Sequence, residues 1–199
     1  MSKLYPLILA STSKYRAELI QKMHIPFHCQ KPSVDEDFLK NRCLQENKTA
    51  VEIAEYLSKE KTKSVFKKNT VVVGGDQLVS FKNKILGKPQ NFENAFLQLK
   101  KLKSSTHKLI TAVTVQTDEN IFHLNHITTL KMKNLTDNEI KNYLNIDLPF
   151  DCAGSYKIEK AGLCLFEKID CDDFSAIQGL PMIWLSTCLK GCGYELYKN

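Results

Sequence analysis

Four stretches of the chain gather residue types that handle charged oxygen. In "LASTSKYR" (9–16) an apolar run passes through Ser11, Thr12 and Ser13 into a helical segment carrying Tyr15 and Arg16. Main-chain N–H groups and hydroxyls at a helix start can hold a phosphate, and an arginine fork adds a cationic contact. The same residues also make an ordinary N-cap with an exposed arginine. "PSVDEDF" (32–38) clusters Asp35, Glu36 and Asp37, which is either a turn or a source of carboxylate oxygens for a hard cation. In "VVVGGDQ" (71–77) a β-branched strand runs into Gly74 and Gly75, predicting a tight bend with Asp76 at the strand's mouth. Lys88 follows on the constrained "LGKP" (86–89). Such an acid and lysine suit an anionic substrate with a metal, or make a surface ion pair. In "DCAGSYKIEKAGLCLFEKIDCDDFSAIQGLP" (151–181), Gly154, Gly162 and Gly179 punctuate strand-like runs, and Glu159 reads as mid-strand among apolar neighbours, on the surface or lining a pocket.

Other chemistries are not signalled. The chain carries no GxGxxG, P-loop, nucleophile elbow or HExxH. Its five histidines lack zinc-ligand spacing, and its seven cysteines form no CxxC pair, so neither a zinc site nor a disulfide framework is expected. Catalysis resting on His or Cys is disfavoured.

The elements that must position these residues alternate between strand and helix periodicity. Strands are expected at "LYPLILA" (4–10), at 71–73, across a hairpin turning at Lys82, Asn83 and Lys84, at "HKLITAVTVQ" (107–116) and at "IFHLNHITTLKMK" (121–133). "SYKIEKAG" and "LCLFEKID" add two strand candidates. Helices are expected at 14–23, 49–66 and 91–102. Another follows the Thr136/Glu139 capping-box pattern, and the last, "MIWLSTCLK", stops at Gly191. The pattern is α/β with a mixed sheet, without the regular βαβ alternation of a doubly wound fold.

At 199 residues, 43% hydrophobic and 25% charged, the composition is that of a soluble globular chain, read here as a single domain over residues 1–199. No apolar run reaches the ~20 residues of a membrane span, and the N-terminal apolar patch is too short for a signal peptide; a cytoplasmic protein is expected. The net charge of +6 is compatible with nucleic acid, phosphorylated small molecules or plain solubility. The "KKLK" patch (100–103) is read as a solvated helix face. Nucleic acid is not the expected partner.

Taken together and in order, "LASTSKYRAELI", "VDE" (34–36), "EKTKS" (60–64), "VGGDQ" (73–77), "LGKP" (86–89), "AGSYKIE" (153–159) and "GLP" (179–181) resemble the Maf family of nucleoside triphosphate pyrophosphatases. Tyr15, Gln77 and Glu159 stand where its YceF-like subgroup, which hydrolyses 7-methyl-GTP, differs from the subgroup acting on dTTP and UTP. Lys14, Ala112 and Cys171 depart from the family pattern without removing a proposed catalytic group. The resemblance implies a Maf-like (ITPase-like) α/β fold: a mixed twisted sheet flanked by helices, two lobes with a cleft between them, and a homodimer. It implies attack of water on the α-phosphorus, with Asp76 as general base. Ser11, Arg16, Lys61 and Lys88 would bind phosphate, and Tyr15, Gln77 and Glu159 would select the base. Mg2+ or Mn2+ would be anchored by Asp76 and Glu36. The alternatives are a family pyrophosphatase for dTTP, UTP or CTP, or a non-catalytic regulator of septum formation that binds nucleotide or RNA.

Overall fold

The computed structural model describes residues 4–197. Seven strands form one mixed sheet in the order β2-β1-β3-β5-β6-β7, with β4 on β3. In chain order these are β1 (Leu7–Ala10), β2 (Phe27–Cys29), β3 (Val71–Phe81), β4 (Lys84–Leu86), β5 (Thr106–Gln116), β6 (Ile121–Met132) and β7 (Phe166–Asp170). The helices are α1 (Lys14–Gln21), α2 (Glu36–Gln45), α3 (Ala50–Val65), α4 (Phe92–Leu102), α5 (Asp137–Asp147) and α6 (Met182–Gly191). β1 runs parallel to β2 and β3, whereas β4 and β7 run antiparallel to β3 and β6. The expected mixed α/β sheet flanked by helices is the one observed.

The chain groups into two compact units. The first holds residues up to Asp76, Thr111–His126 and those from Asp173 onward; the second holds Gln77–Ile110 and Ile127–Asp172. In the first, strand alternation sorts the core. Leu7, Leu9, Val71, Val73, Val113 and Val115 pack with Leu19 and Ile20 of α1 and Leu185 and Leu189 of α6. Ala10 and Val72, on the other parity, pack with Val65 of α3. In the second unit, Ala95, Leu99 and Leu102 of α4 and Ile140 and Leu144 of α5 are fully buried.

Several helix starts follow local chemistry. Thr49 and Glu52 close a capping box on α3, and Thr136 and Glu139 close one on α5, each satisfying amides that a helix leaves unpaired. The hairpin turns at Lys82 and Asn83, both with positive φ (49° and 61°), as a tight two-residue connection demands.

Three expectations are corrected. No bend follows the glycine pair: β3 continues to Phe81, so Asp76 lies mid-strand. "PSVDEDF" is not a plain turn, because Asp35 caps α2 by accepting from Phe38 N–H at 2.9 Å and Glu36 begins that helix. "SYKIEKAG" is not a strand. Gly154 and Ser155 take positive φ (77° and 63°), which breaks an extended run, and Glu159 lies exposed on a turn. All seven cysteines are free. No helix among the described residues is long and apolar enough to cross a membrane.

Candidate active site

The first unit brings together five of the residues singled out by sequence: Ser11, Arg16, Glu36, Lys61 and Asp76. Lys61 comes from α3, whose apolar face meets the same side of β3 that carries Val72, Gly74 and Asp76. Its ammonium donates to Asp76 Oδ1 at 2.7 Å and pairs with Glu36 Oε2 at 2.8 Å. Lys61 and Asp76 are each 5% exposed; Glu36, at the head of α2, keeps a solvent-facing side chain. Burying a charge is costly unless it is paired, and here one cation joins two carboxylates. Two of the three ammonium donors are thus engaged. Asp76 Oδ2 is buried and has no hydrogen-bond partner among the described residues. An orphaned carboxylate oxygen in such a place is uncommon, and it leaves an acceptor open at the centre of the site.

Arg16 enters from α1. Its Nε donates to Gly179 O at 3.1 Å and its Nη1 approaches Ser11 Oγ at 3.4 Å. Ser11 is buried, and its Oγ also accepts from Ser13 N–H at 3.1 Å. Ser13 caps α1 by accepting from Arg16 N–H. Burial holds the guanidinium below its ordinary pKa, while the negative charges of Asp76 and Glu36 oppose that shift. An arginine remains charged regardless. The two cations and two carboxylates cancel, so the site is charge-balanced before any ligand arrives.

The glycine pair acts through packing. A Cβ on Gly74 would lie 2.1 Å from Thr62 Oγ1 and 2.9 Å from Ser58 O; one on Gly75 would meet Arg16 Nε at 3.4 Å. Gly74 therefore seats α3 against β3 and so sets Lys61 beside Asp76. Gly75 lies under Arg16. Sequence reading missed the Gly179 carbonyl as the arginine's anchor; the glycine of "GLP" was the one available signal, and the structure shows it at φ 116°, a conformation that favours glycine.

Tyr15 stands beside Arg16 at the start of α1, half-buried. Gln77, Lys88 and Glu159 belong to the second unit. Gln77 follows Asp76 along β3, so its side chain leaves the strand on the opposite face. Lys88 is exposed on a loop that α4 clamps on both sides: Gln98 Nε2 donates to Gly87 O at 2.9 Å and Asn94 Nδ2 to Pro89 O at 3.0 Å. Ser155 Oγ donates to Gln98 Oε1 at 2.7 Å, tying "AGS" to the same clamp.

Among the described residues no group of three His, Cys, Asp or Glu could hold a metal ion. A cation here would find two carboxylates at most, Asp76 and Glu36. That suits a divalent cation that takes one or two carboxylates and completes its shell with phosphate oxygens and water.

Comparison with known proteins identifies the family. The sequence profile described as Maf-like protein matches residues 6–192. A protein named 7-methyl-GTP pyrophosphatase from Bdellovibrio bacteriovorus is 45% identical over 184 residues, covering 92% of this chain and 95% of that protein. Proteins of the same name from Colwellia psychrerythraea and a Polaromonas species are each 38% identical. They cover 96% and 98% of this chain, and 94% and 88% of their own lengths. With a profile match over nearly its whole length and relatives aligned end to end, the chain belongs to the Maf-like protein family.

Proposed function

We propose that this chain hydrolyses 7-methyl-GTP between its α- and β-phosphates, yielding 7-methyl-GMP and diphosphate. The single observation that carries the reading is the Asp76 carboxylate, with one oxygen held by Lys61 and the other buried and bare. The names of the relatives supply the substrate.

Asp76 Oδ2 accepts the proton of the attacking water. Lys61 holds that carboxylate in place through Oδ1, with a third N–H left for a phosphate oxygen. Arg16, held at Nε by Gly179 O, presents its Nη groups as a fork, and the Ser11 hydroxyl can donate beside it. Charge that develops on phosphate oxygens is thus met by preorganised donors. A divalent cation held by Asp76 and Glu36, Mg2+ or Mn2+, would supply further neutralisation of the polyphosphate. Lys88 is read as a further phosphate-binding cation, and Glu159, Gln77 and Tyr15 as the residues that select the base. The chain is read as one Maf-like domain, cytoplasmic and homodimeric.

Two outcomes test the reading. Hydrolysis in 18O-water should place the label in the nucleoside monophosphate and none in the diphosphate. Stepwise release of orthophosphate would overturn the proposed bond. Base selection is tested separately. N7-methylated guanine is cationic, and a carboxylate can both attract it and accept from its N1–H and amine. Glu159→Gln should therefore lower the kcat/KM ratio of 7-methyl-GTP over dTTP and UTP roughly ten-fold or more. An unchanged ratio removes Glu159 from selection. A parent enzyme that prefers dTTP, UTP or CTP would move the substrate while leaving the chemistry in place.

A further inference from the structure

Helix α6 starts without a side-chain cap of its own, because Pro181 occupies the N-cap. Its first free amides are satisfied from upstream instead. Met182 N–H donates to Ser175 Oγ and Ile183 N–H to Asp173 Oδ2, both at 2.8 Å. The other oxygen of Asp173 accepts the Ser175 main-chain N–H at 3.0 Å and, in a short contact, the Ser175 hydroxyl. The Asp173 N–H donates to His126 Nε2 at 3.2 Å, and the Thr111 hydroxyl donates to Ala176 O at 2.8 Å. Asp173 is only 6% exposed, and every partner of its carboxylate is a donor. Residues 173–183 are thereby closed into a ring that β5 and β6 brace.

Gly179 sits inside that ring. It adopts φ 116°, and a Cβ there would meet Arg16 Nε at 3.1 Å and Arg16 Cγ at 3.2 Å. Its carbonyl is the acceptor for Arg16 Nε. The guanidinium is therefore aimed by a main-chain group inside the ring, between its closures at Ser175 and at Met182, where the Gly179 N–H also donates to Ala176 O at 3.0 Å.

We propose that Asp173 is a positioning residue for Arg16, holding the Gly179 carbonyl so that the arginine fork faces phosphate before any ligand binds. The inference rests on the reading of Arg16 as a phosphate-binding residue. Fixing the side chain in advance removes ordering that would otherwise oppose binding. The buried carboxylate also complements the positive N-terminal end of α6, so one group stabilises the helix and aligns the site.

Asp173→Asn keeps the shape but turns an NH2 toward a ring of donors, so one side of the closure is lost. The measurements are binding of inorganic pyrophosphate by calorimetry, KM and kcat with nucleotide, and Tm. Arg16→Ala should weaken pyrophosphate about ten-fold, as loss of a charge-assisted contact does. Asp173→Asn should weaken it by a similar factor and raise KM more than it lowers kcat. In the Arg16→Ala background, Asp173→Asn should have no further effect on pyrophosphate, although it would still lower Tm. If Arg16→Ala leaves pyrophosphate binding unchanged, the phosphate reading of Arg16 falls. If Arg16→Ala weakens binding but Asp173→Asn does not, or adds its full effect in both backgrounds, the positioning inference alone is overturned. Should Asp173→Asn fail to fold, Ser175→Ala serves instead. It opens the same ring at Met182 while keeping the carboxylate, and it must show the same dependence on Arg16.

Discussion

Asp76→Asn is expected to lower turnover by roughly 10²–10⁴-fold, the usual contribution of a well-placed general base, while nucleotide still binds. The amide can keep an oxygen toward the Lys61 ammonium, now 2.7 Å from Oδ1. Its NH2 then takes the place of the bare Oδ2 and cannot accept a proton. Folding should survive, because Lys61 retains Glu36 Oε2 at 2.8 Å and is not left as an unpaired buried charge. The variant site carries one more net positive charge, since one of two carboxylates facing two cations is gone. Measured without divalent cation, polyphosphate affinity should therefore hold or rise, while kcat with the cation present collapses. Separate determination of Kd by calorimetry and of kcat under saturation distinguishes the two. Turnover within a few-fold of the parent would make Asp76 a structural partner of Lys61 and remove the proposed proton acceptor.

The parts of this arrangement visible in the sequence are those fixed by local chemistry. Thr49 with Glu52 and Thr136 with Glu139 announce helix starts because cap and partner lie within one turn. The Lys82–Asn83 turn and the long amphipathic α3 are local in the same sense. Lys61 itself is different. Within α3 a lysine reads as a solvated position, and it is buried only because Asp76 arrives from a strand 15 residues later in sequence. The glycine pair misled for a related reason. A double glycine commonly marks a turn, but here it lies inside an 11-residue strand and answers to side chains on α3 and α1. Glu159 was placed on a strand by the alternation of its neighbours. The positive φ of Gly154 and Ser155 is set by packing within the second unit, which no periodicity reveals.

Gly74→Ala is expected to damage stability and catalysis together, which separates a packing glycine from one that merely loosens the chain. The added methyl would stand 2.1 Å from Thr62 Oγ1, 2.9 Å from Ser58 O and 3.0 Å from Thr62 N. Thr62 cannot simply turn aside, since its side chain is fully buried and its hydroxyl already donates to Ser58 O at 2.8 Å. The other two atoms belong to the helix backbone. Helix α3 must therefore lift from β3, and overpacking of this kind costs about 1–3 kcal/mol. For a chain of this size that corresponds to a Tm lower by roughly 2–12 °C. Lys61 precedes Thr62 on the helix, and Asp76 follows Gly74 by two residues on the same strand face. Lifting α3 thus stretches the 2.7 Å contact that holds the Asp76 carboxylate in position, and kcat should fall at temperatures where the variant is fully folded. Thr62→Ala in the same chain removes the closest of the three contacts but neither backbone one. The double variant should recover part of the lost Tm and part of the turnover, with a coupling that simple addition of the single effects does not give. A Gly74→Ala protein with the parent's Tm and kcat would mean that α3 does not rest on β3 at this point, and that Lys61 reaches Asp76 by some other support.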